Sequence, residues 1–258
     1  MSWRGAIYPV ATLAAFILLW QAAVALLALP EYLVPSPLAV LQRMREDHAT
    51  LLFHSGITLA ETIGGFLLAL VLGVVIGALL VSSRSLERIV LPVLLVIQTF
   101  PKIALAPLII IWFGLGFGPK LLMSFLVAVF PVLISTMVGM RSVEKDLVDL
   151  ARSMQASPLA IFLRFRLPSA LPQIFGAMKV AVAFAIVGAV VGEWVGADKG
   201  LGYLLIWANA NLDTPMLFSI LVCLAVIGLG LYYLVEIAER LALPWHVSIR
   251  GQAPGFTT

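Results

Sequence analysis

The sequence predicts an all-α membrane protein built from six spanning helices. Three observations carry this. Hydrophobic residues form 62% of the chain and charged residues only 11%, where soluble domains carry roughly 25% charged residues. Six apolar segments each reach the roughly 20 residues needed to cross hydrocarbon. Basic residues are dispersed between those segments, so the net charge of +3 bears on topology and gives no sign of a nucleic-acid partner.

The first span covers about Ala6–Leu29. One Arg precedes it and no small-x-small cleavage site follows, so it is expected to remain as a span. The second covers about Gly56–Val81 and the third about Ile89–Phe113. Pro92, Pro101 and Pro107 interrupt the third, because proline withdraws a backbone donor and breaks a helix. The fourth covers about Leu121–Met140, the fifth Gln173–Val195 and the sixth Met216–Leu241. Between the first two, Pro30–Ser55 opens on Pro-Ser-Pro and continues as the amphipathic LAVLQRMREDHATLL, suited to lying on the membrane surface. Between the last two, Ala197–Pro215 is a connection whose Tyr203 and Trp207 suit interface anchoring. The expected organisation is therefore residues 1–55 (first span and external amphipathic connection), 56–241 (a core of five spans) and 242–258 (a loose cytoplasmic tail).

An even number of spans puts both termini on one side. With the N-terminus inside, Arg4, Arg84, Arg88, Arg141, Lys145, Arg152, Arg164, Arg166, Arg240 and Arg250 are cytoplasmic. Only Arg43, Arg45, Lys120 and Lys199 lie outside. Ten against four is a positive-inside bias, so both termini are expected in the cytoplasm.

Charges inside spans need a reason, since each costs at least about 2.5 kcal/mol near the bilayer centre. Lys102 stands in QTFPKIALAPL between Pro101 and Pro107, one turn after Gln98. Broken backbone at membrane depth is tolerated inside protein or beside a water-filled cavity, so this stretch is read as pathway lining, against a structural ion pair. Glu61 and Glu193 lie near the outer ends of the second and fifth spans. Each either snorkels to the interface or joins the pathway, and Glu61 is a candidate partner for Lys102. Lys179 is expected to snorkel to the cytoplasm. Small residues at four-residue spacing (Gly65, Ala69, Gly73, Gly77; Ala177, Ala181, Ala185, Ala189) make smooth stripes, fitted to ordinary bundle packing, a moving helix interface or a dimer seam.

No G-x-x-x-x-G-K-[ST] occurs, so the chain is not expected to cradle nucleotide phosphates, and GFGPK is read as a turn. His48, His54 and His246 share no helix spacing, which gives no metal site, and no nucleophile arrangement stands out. Cys223 is the only cysteine, so no intrachain disulfide can form. Any uphill transport must draw on an ion gradient or on a partner.

One segment breaks the apolar pattern. Eight of the chain's 29 charged residues fall between Arg141 and Arg166. Val143, Leu147, Leu150, Ala151 and Met154 recur at helical spacing on one face. Ser157-Pro158 is an N-cap followed by proline at the first helical position, and the second helix is expected to stop at Pro168 with Leu159, Phe162 and Phe165 on one face. The segment either lies along lipid headgroups or docks a partner protein.

VDLARSMQASPLAIFLRFRLP resembles the coupling loop of ABC importer permeases, whose pattern is E-A-A, three residues, Gly, nine residues, Ile-x-Leu-Pro. Here it reads Asp149-Leu150-Ala151, Gln155, Phe165-Arg166-Leu167-Pro168. The spacing matches throughout. Leu150 departs from it, Asp149 and Phe165 are conservative changes, and Gln155 replaces the turn glycine. QTFPKIALAPLIIIWFGLG and VVGEWVGADKGLGYLL extend the resemblance over nearly the whole chain, to the nitrate/sulfonate/taurine group of these permeases. TLAETIGG, PKIALAPL and VGEW are most similar to the branch associated with thiamine-precursor pyrimidines and riboflavin. The resemblance implies the type I ABC importer permease fold in a bacterial inner membrane, with two permease copies forming the pore. It implies two ATPase subunits, which hold ATP and Mg, and an extracytoplasmic solute-binding protein. It implies ATPase coupling through Asp149, Ala151, Arg152, Gln155, Ser157, Pro158, Phe162, Leu167 and Pro168. Glu61, Gln98, Pro101, Lys102, Pro107 and Glu193 are the expected pathway residues. The alternatives are the same role for sulfonate, taurine or nitrate, and a stand-alone channel or ion-coupled carrier.

Overall fold

A computed structural model describes residues 3–244, and these are helical with no strand. In chain order the helices are α1 (Trp3–Leu26), α2 (Pro37–Glu46), α3 (His48–Ser82), α4 (Arg84–Thr99), α5 (Ala106–Phe113) and α6 (Phe117–Arg141). They continue as α7 (Lys145–Ser153), α8 (Pro158–Ile161), α9 (Leu167–Gly196), α10 (Leu201–Ala210) and α11 (Thr214–Ala242). Four runs are long and apolar enough to cross a membrane: α3, α6, Pro158–Gly196 and α11. α4 and Lys102–Phe113 together make a candidate fifth, bent by 86°. The first expected span corresponds to α1, whose apolar stretch Ala11–Leu26 is shorter than the others. The expected tail lies outside the described residues from 245 onward.

Several boundaries differ from the sequence reading, each for a local reason. LAVLQRMREDHATLL is split at Asp47. Ser36 Oγ accepts from Ala39 N–H at 3.1 Å to start α2. Arg43 pairs with Asp47 at 2.8 Å and reaches Asp213 at 2.7 Å, which pins α2 beside the start of α11. The second spanning helix therefore begins at His48, within the first expected unit, and runs 35 residues. That is about 52 Å of helix, well beyond the roughly 30 Å of hydrocarbon. In the third span only Pro101 marks the break. Pro92 lies inside α4, and Pro107 sits in the first turn of α5, where a missing N–H costs nothing. GFGPK is not a turn: α6 starts at Phe117 with Pro119 in its first turn, so Lys120 belongs to a helix. The connection Ala197–Pro215 contains a full helix, α10.

α6 runs between α3 and α9 and forms the centre of the bundle. The small-residue stripes are what allow this. A Cβ on Gly73 would stand 2.9 Å from Val132 Cγ1, and one on Gly188 would stand 2.6 Å from the Met123 carbonyl. Ala69, Ala181, Ala185 and Ala189 are fully buried along the same seams. These stripes therefore serve packing within one subunit. α11 packs on α9 and α10. Lys179 does not snorkel: its Nζ pairs with Glu239 at 2.8 Å and lies 5.4 Å from the Tyr232 ring centroid, joining α9 to α11. A carboxylate one helix away is a nearer partner than the interface.

Candidate functional site

The charged segment forms a helical hairpin at one end of the bundle. Its first helix, α7, ends in a Schellman turn: Gln155 N–H donates to the Arg152 carbonyl at 2.9 Å, and Ala156 N–H to the Ala151 carbonyl at 3.0 Å. Such a turn needs a left-handed residue at its hinge, normally glycine. Gln155 takes that role with φ +61, so the departure from the family glycine leaves the turn geometry intact at a cost of roughly 1–2 kcal/mol. Ser157 Oγ then accepts from Ala160 N–H at 3.2 Å and Pro158 opens α8, as expected.

The second helix does not stop at Pro168. Phe162–Arg166 forms a π turn in which Leu167 N–H donates to the Phe162 carbonyl, and α9 continues from Leu167. The wider turn shifts the hydrogen-bond register just before proline, and Pro168 falls in the first turn of α9, where no donor is required. Pro158–Gly196 is thus one helical rod of 39 residues.

The hairpin's faces also differ from the expected ones. Val148, Ala151 and Ile161 pack inward with Val143, Ala156 and Phe165, while Phe162 packs beside Met140 and Ala170. Leu147, Leu150, Met154, Leu159 and Leu163 point outward, with Met154 75% and Leu159 65% exposed. Asp149 and Arg152 are also exposed and pair with each other at 3.4 Å, on a different flank of α7 from Leu147, Leu150 and Met154. The outward surface is apolar.

A second cluster lies at the opposite end of the bundle. His54, Thr58, Glu61 and Thr62 lie on the face of α3 that continues the small-residue stripe, and all four are buried. Glu61 pairs with Lys120 at 3.2 Å, and their side chains are 1% and 8% exposed. Its partner is therefore Lys120 and not Lys102. Glu193, 1% exposed, accepts from Thr58 Oγ1 at 2.6 Å and from Gly202 N–H. Thr58 Oγ1 in turn accepts from Leu201 N–H at 2.8 Å. Gly200 N–H donates to His54 Nδ1 at 2.9 Å.

The N-terminus of α10 is thus capped by side chains from α3 and α9. A Cβ at Gly200 or Gly202 would collide with the Glu193 carboxylate, which explains both glycines in KGLG. Neither Glu61 nor Glu193 snorkels, because each has partners inside the bundle. Tyr203 stacks on His54 at 6.0 Å between ring centroids, and Trp207 stays 44% exposed. The sequence reading missed Lys120, Thr58 and His54. The spacing of residues 54, 58, 61 and 65 on one helix face was the available signal, together with a proline marking a helix start just before Lys120.

The third group stands apart. Lys102 opens the short 3-10 turn after the Pro101 break, and its Nζ donates to Gln98 Oε1 at 2.6 Å across that break. Among the described residues Lys102 enters no ion pair.

Long apolar helices, a broken span and a helical hairpin at one end define a multi-pass membrane protein. Residues 69–244 match the family described as binding-protein-dependent transport system inner membrane component, and the chain belongs to that family. It is an ABC importer permease. It is 40% identical over 229 residues to a probable ABC transporter permease protein of Haemophilus influenzae, covering 88% of this chain and 93% of the relative. It is 39% identical to the riboflavin transport system permease protein RibX of Chloroflexus aurantiacus, covering 92% and 89%. To the formylaminopyrimidine transport permease protein ThiX of Halalkalibacterium halodurans the identity is 33%, covering 88% and 91%. The fold matches a chain of the inward-facing MetNI methionine ABC transporter with a TM-score of 0.65 at 21% identity, over 76% of this chain and 96% of that one.

Proposed function

We propose that the chain forms the solute pathway of an inner-membrane importer and takes its energy from separate ATPase subunits, which hold the ATP and Mg. The observation that carries this is the hairpin's outward apolar face, Leu147, Leu150, Met154, Leu159 and Leu163, set on two capped helices. In water such a patch calls for a protein partner. Asp149 and Arg152 on the flank of α7 would fix register at the edge of that contact, and the turn at Gln155 with the Ser157 cap would keep the pair stiff enough to transmit a rigid-body motion. Phe162, Leu167 and Pro168 would carry that motion into the α9 rod. In this reading the hairpin and both termini face the cytoplasm, two copies enclose the pathway, and the opposite end receives solute from a binding protein.

Lys102, Gln98 and the broken backbone between Pro101 and Pro107 are the proposed pathway lining. Glu61 and Glu193 would act beside them by holding the outer end of the bundle in shape. The proposed solute is a small heteroaromatic compound of the pyrimidine or riboflavin kind. The names of the RibX and ThiX relatives support that choice, and a sulfonate, taurine or nitrate is the alternative.

The test is co-purification. Wild-type permease should retain an ATPase subunit through size exclusion. Leu150→Asp with Leu159→Asp, both at exposed positions, should insert normally and lose it. Undiminished retention in that variant would remove the hairpin from the coupling role, and absence of any ATPase with the wild type would favour a stand-alone carrier.

A further inference from the structure

Between the hairpin and the ends of the spans lies a cavity of about 560 Å³. Its wall carries five cationic side chains, Arg84, Arg141, Lys145, Arg152 and Arg166, against two carboxylates. Arg141 pairs with Glu87 and Arg152 with Asp149, so both carboxylates are already committed. Arg84, Lys145 and Arg166 enter no ion pair among the described residues. Three positive charges converge there from three separate elements: the start of α4, the start of α7 and the π turn. A second cavity of about 210 Å³ adjoins the first and shares Arg152 and Arg166. Its wall is otherwise mostly apolar, with Pro158, Ile161 and Phe162.

We infer that this is a binding site for a phosphate-bearing anion. Like-charged side chains gathered around one space repel each other unless an anion occupies it, and Arg forks match phosphate oxygens. The place suits an anionic phospholipid headgroup, since basic pockets between spanning helices on the cytoplasmic side take such groups. The smaller apolar cavity would then receive the first carbons of the lipid chains. A soluble phosphate compound has the same chemistry. The inference goes beyond the coupling role and rests on it only for the assignment of this end to the cytoplasmic leaflet. An occupant would bridge α7 to the ends of α4 and α9 and so tie the hairpin to the spans.

The experiment measures binding, so it does not depend on ATPase attachment. The full chain is placed in nanodiscs of phosphatidylcholine alone, or of phosphatidylcholine with phosphatidylglycerol, and retained phosphatidylglycerol is counted by native mass spectrometry. In a third arm, inorganic phosphate is titrated into the phosphatidylcholine sample. The variant Arg84→Gln, Lys145→Gln, Arg166→Gln should lose affinity by roughly a hundredfold, about fivefold for each charge removed. Arg88→Gln, on α4 but outside the cavity wall, should bind as the wild type does and controls for general surface charge. Retention of phosphatidylglycerol alone assigns the site to lipid, and binding in the third arm alone assigns it to a soluble phosphate. Equal binding by the triple variant and the wild type, equal losses in the triple variant and Arg88→Gln, or no binding in any arm would overturn the inference.

Discussion

Lys120→Met tests the buried cluster most directly. The substitution keeps the aliphatic stem and removes the charge. Glu61 is 1% exposed, and its second oxygen already lacks a hydrogen-bond partner among the described residues. Without Lys120 its carboxylate would lose the ion-pair partner that faces it. Breaking a buried pair from one side costs about 3–5 kcal/mol. For a chain of this size each kcal/mol moves the unfolding midpoint by about 2–4 °C, so a fall of about 6–20 °C is expected. Glu61→Gln added to Lys120→Met removes the stranded charge and should recover at least about 2 kcal/mol, because a buried pair replaced on both sides is often neutral. The assay is heating in detergent followed by fluorescence-detected size exclusion, read as the temperature at which half of the monodisperse peak is lost. A single variant within about 2 °C of wild type, or a double variant no better than the single, would refute the argument that this pair is desolvated and coupled.

Three further outcomes are expected. Gly202→Ala would set a methyl 2.6 Å from the Val190 carbonyl and 2.8 Å from Glu193 Oε2. It should cost about 1–3 kcal/mol in the same heating assay, while Gly176→Ala, with open space around it inside α9, should be neutral or stabilising by up to about 1 kcal/mol. Gln155→Gly should relieve the left-handed strain and gain up to about 1 kcal/mol after the entropy cost of glycine. Slower hydrogen exchange across residues 150–160 is the readout, and faster exchange would contradict the Schellman assignment. Lys179→Met should destabilise less than Lys120→Met, because the Lys179 side chain is 21% exposed against 8% for Lys120 and its pair is better screened; the two melting curves compare them directly.

The apolar segments, the proline break and the hairpin with its Ser157-Pro158 start were legible because each depends on local chemistry. Hydrophobic run length, a missing N–H and a capping hydroxyl all act within one turn of helix. What was not legible was partner choice across the bundle. Glu61 had Lys102 as its candidate partner, and only the packing of α3 on α6, set by Gly65 and Gly73, brings Lys120 to it instead. α10 was hidden for a related reason. Its N-terminal cap comes from Glu193 and Thr58 on other helices, so the usual sequence signal of a capping residue just before the helix is missing. Pro168 misled in the opposite direction. A proline that ends one helix in the ordinary reading here opens the next, because a π turn absorbs the register shift.

The rod from Pro158 to Gly196 has a mechanical consequence. Its 39 residues make a lever of about 58 Å, with the exposed face of the hairpin at one end and the carboxylate of Glu193 near the other. A pivot of about 5° at the hairpin displaces the far end by about 5 Å, close to one helical turn. That exceeds the reach of every hydrogen bond between Glu193, Thr58 and the start of α10. The Glu193 end must therefore either travel with the rod, carrying α3 and α10 along as one body, or release α10 altogether.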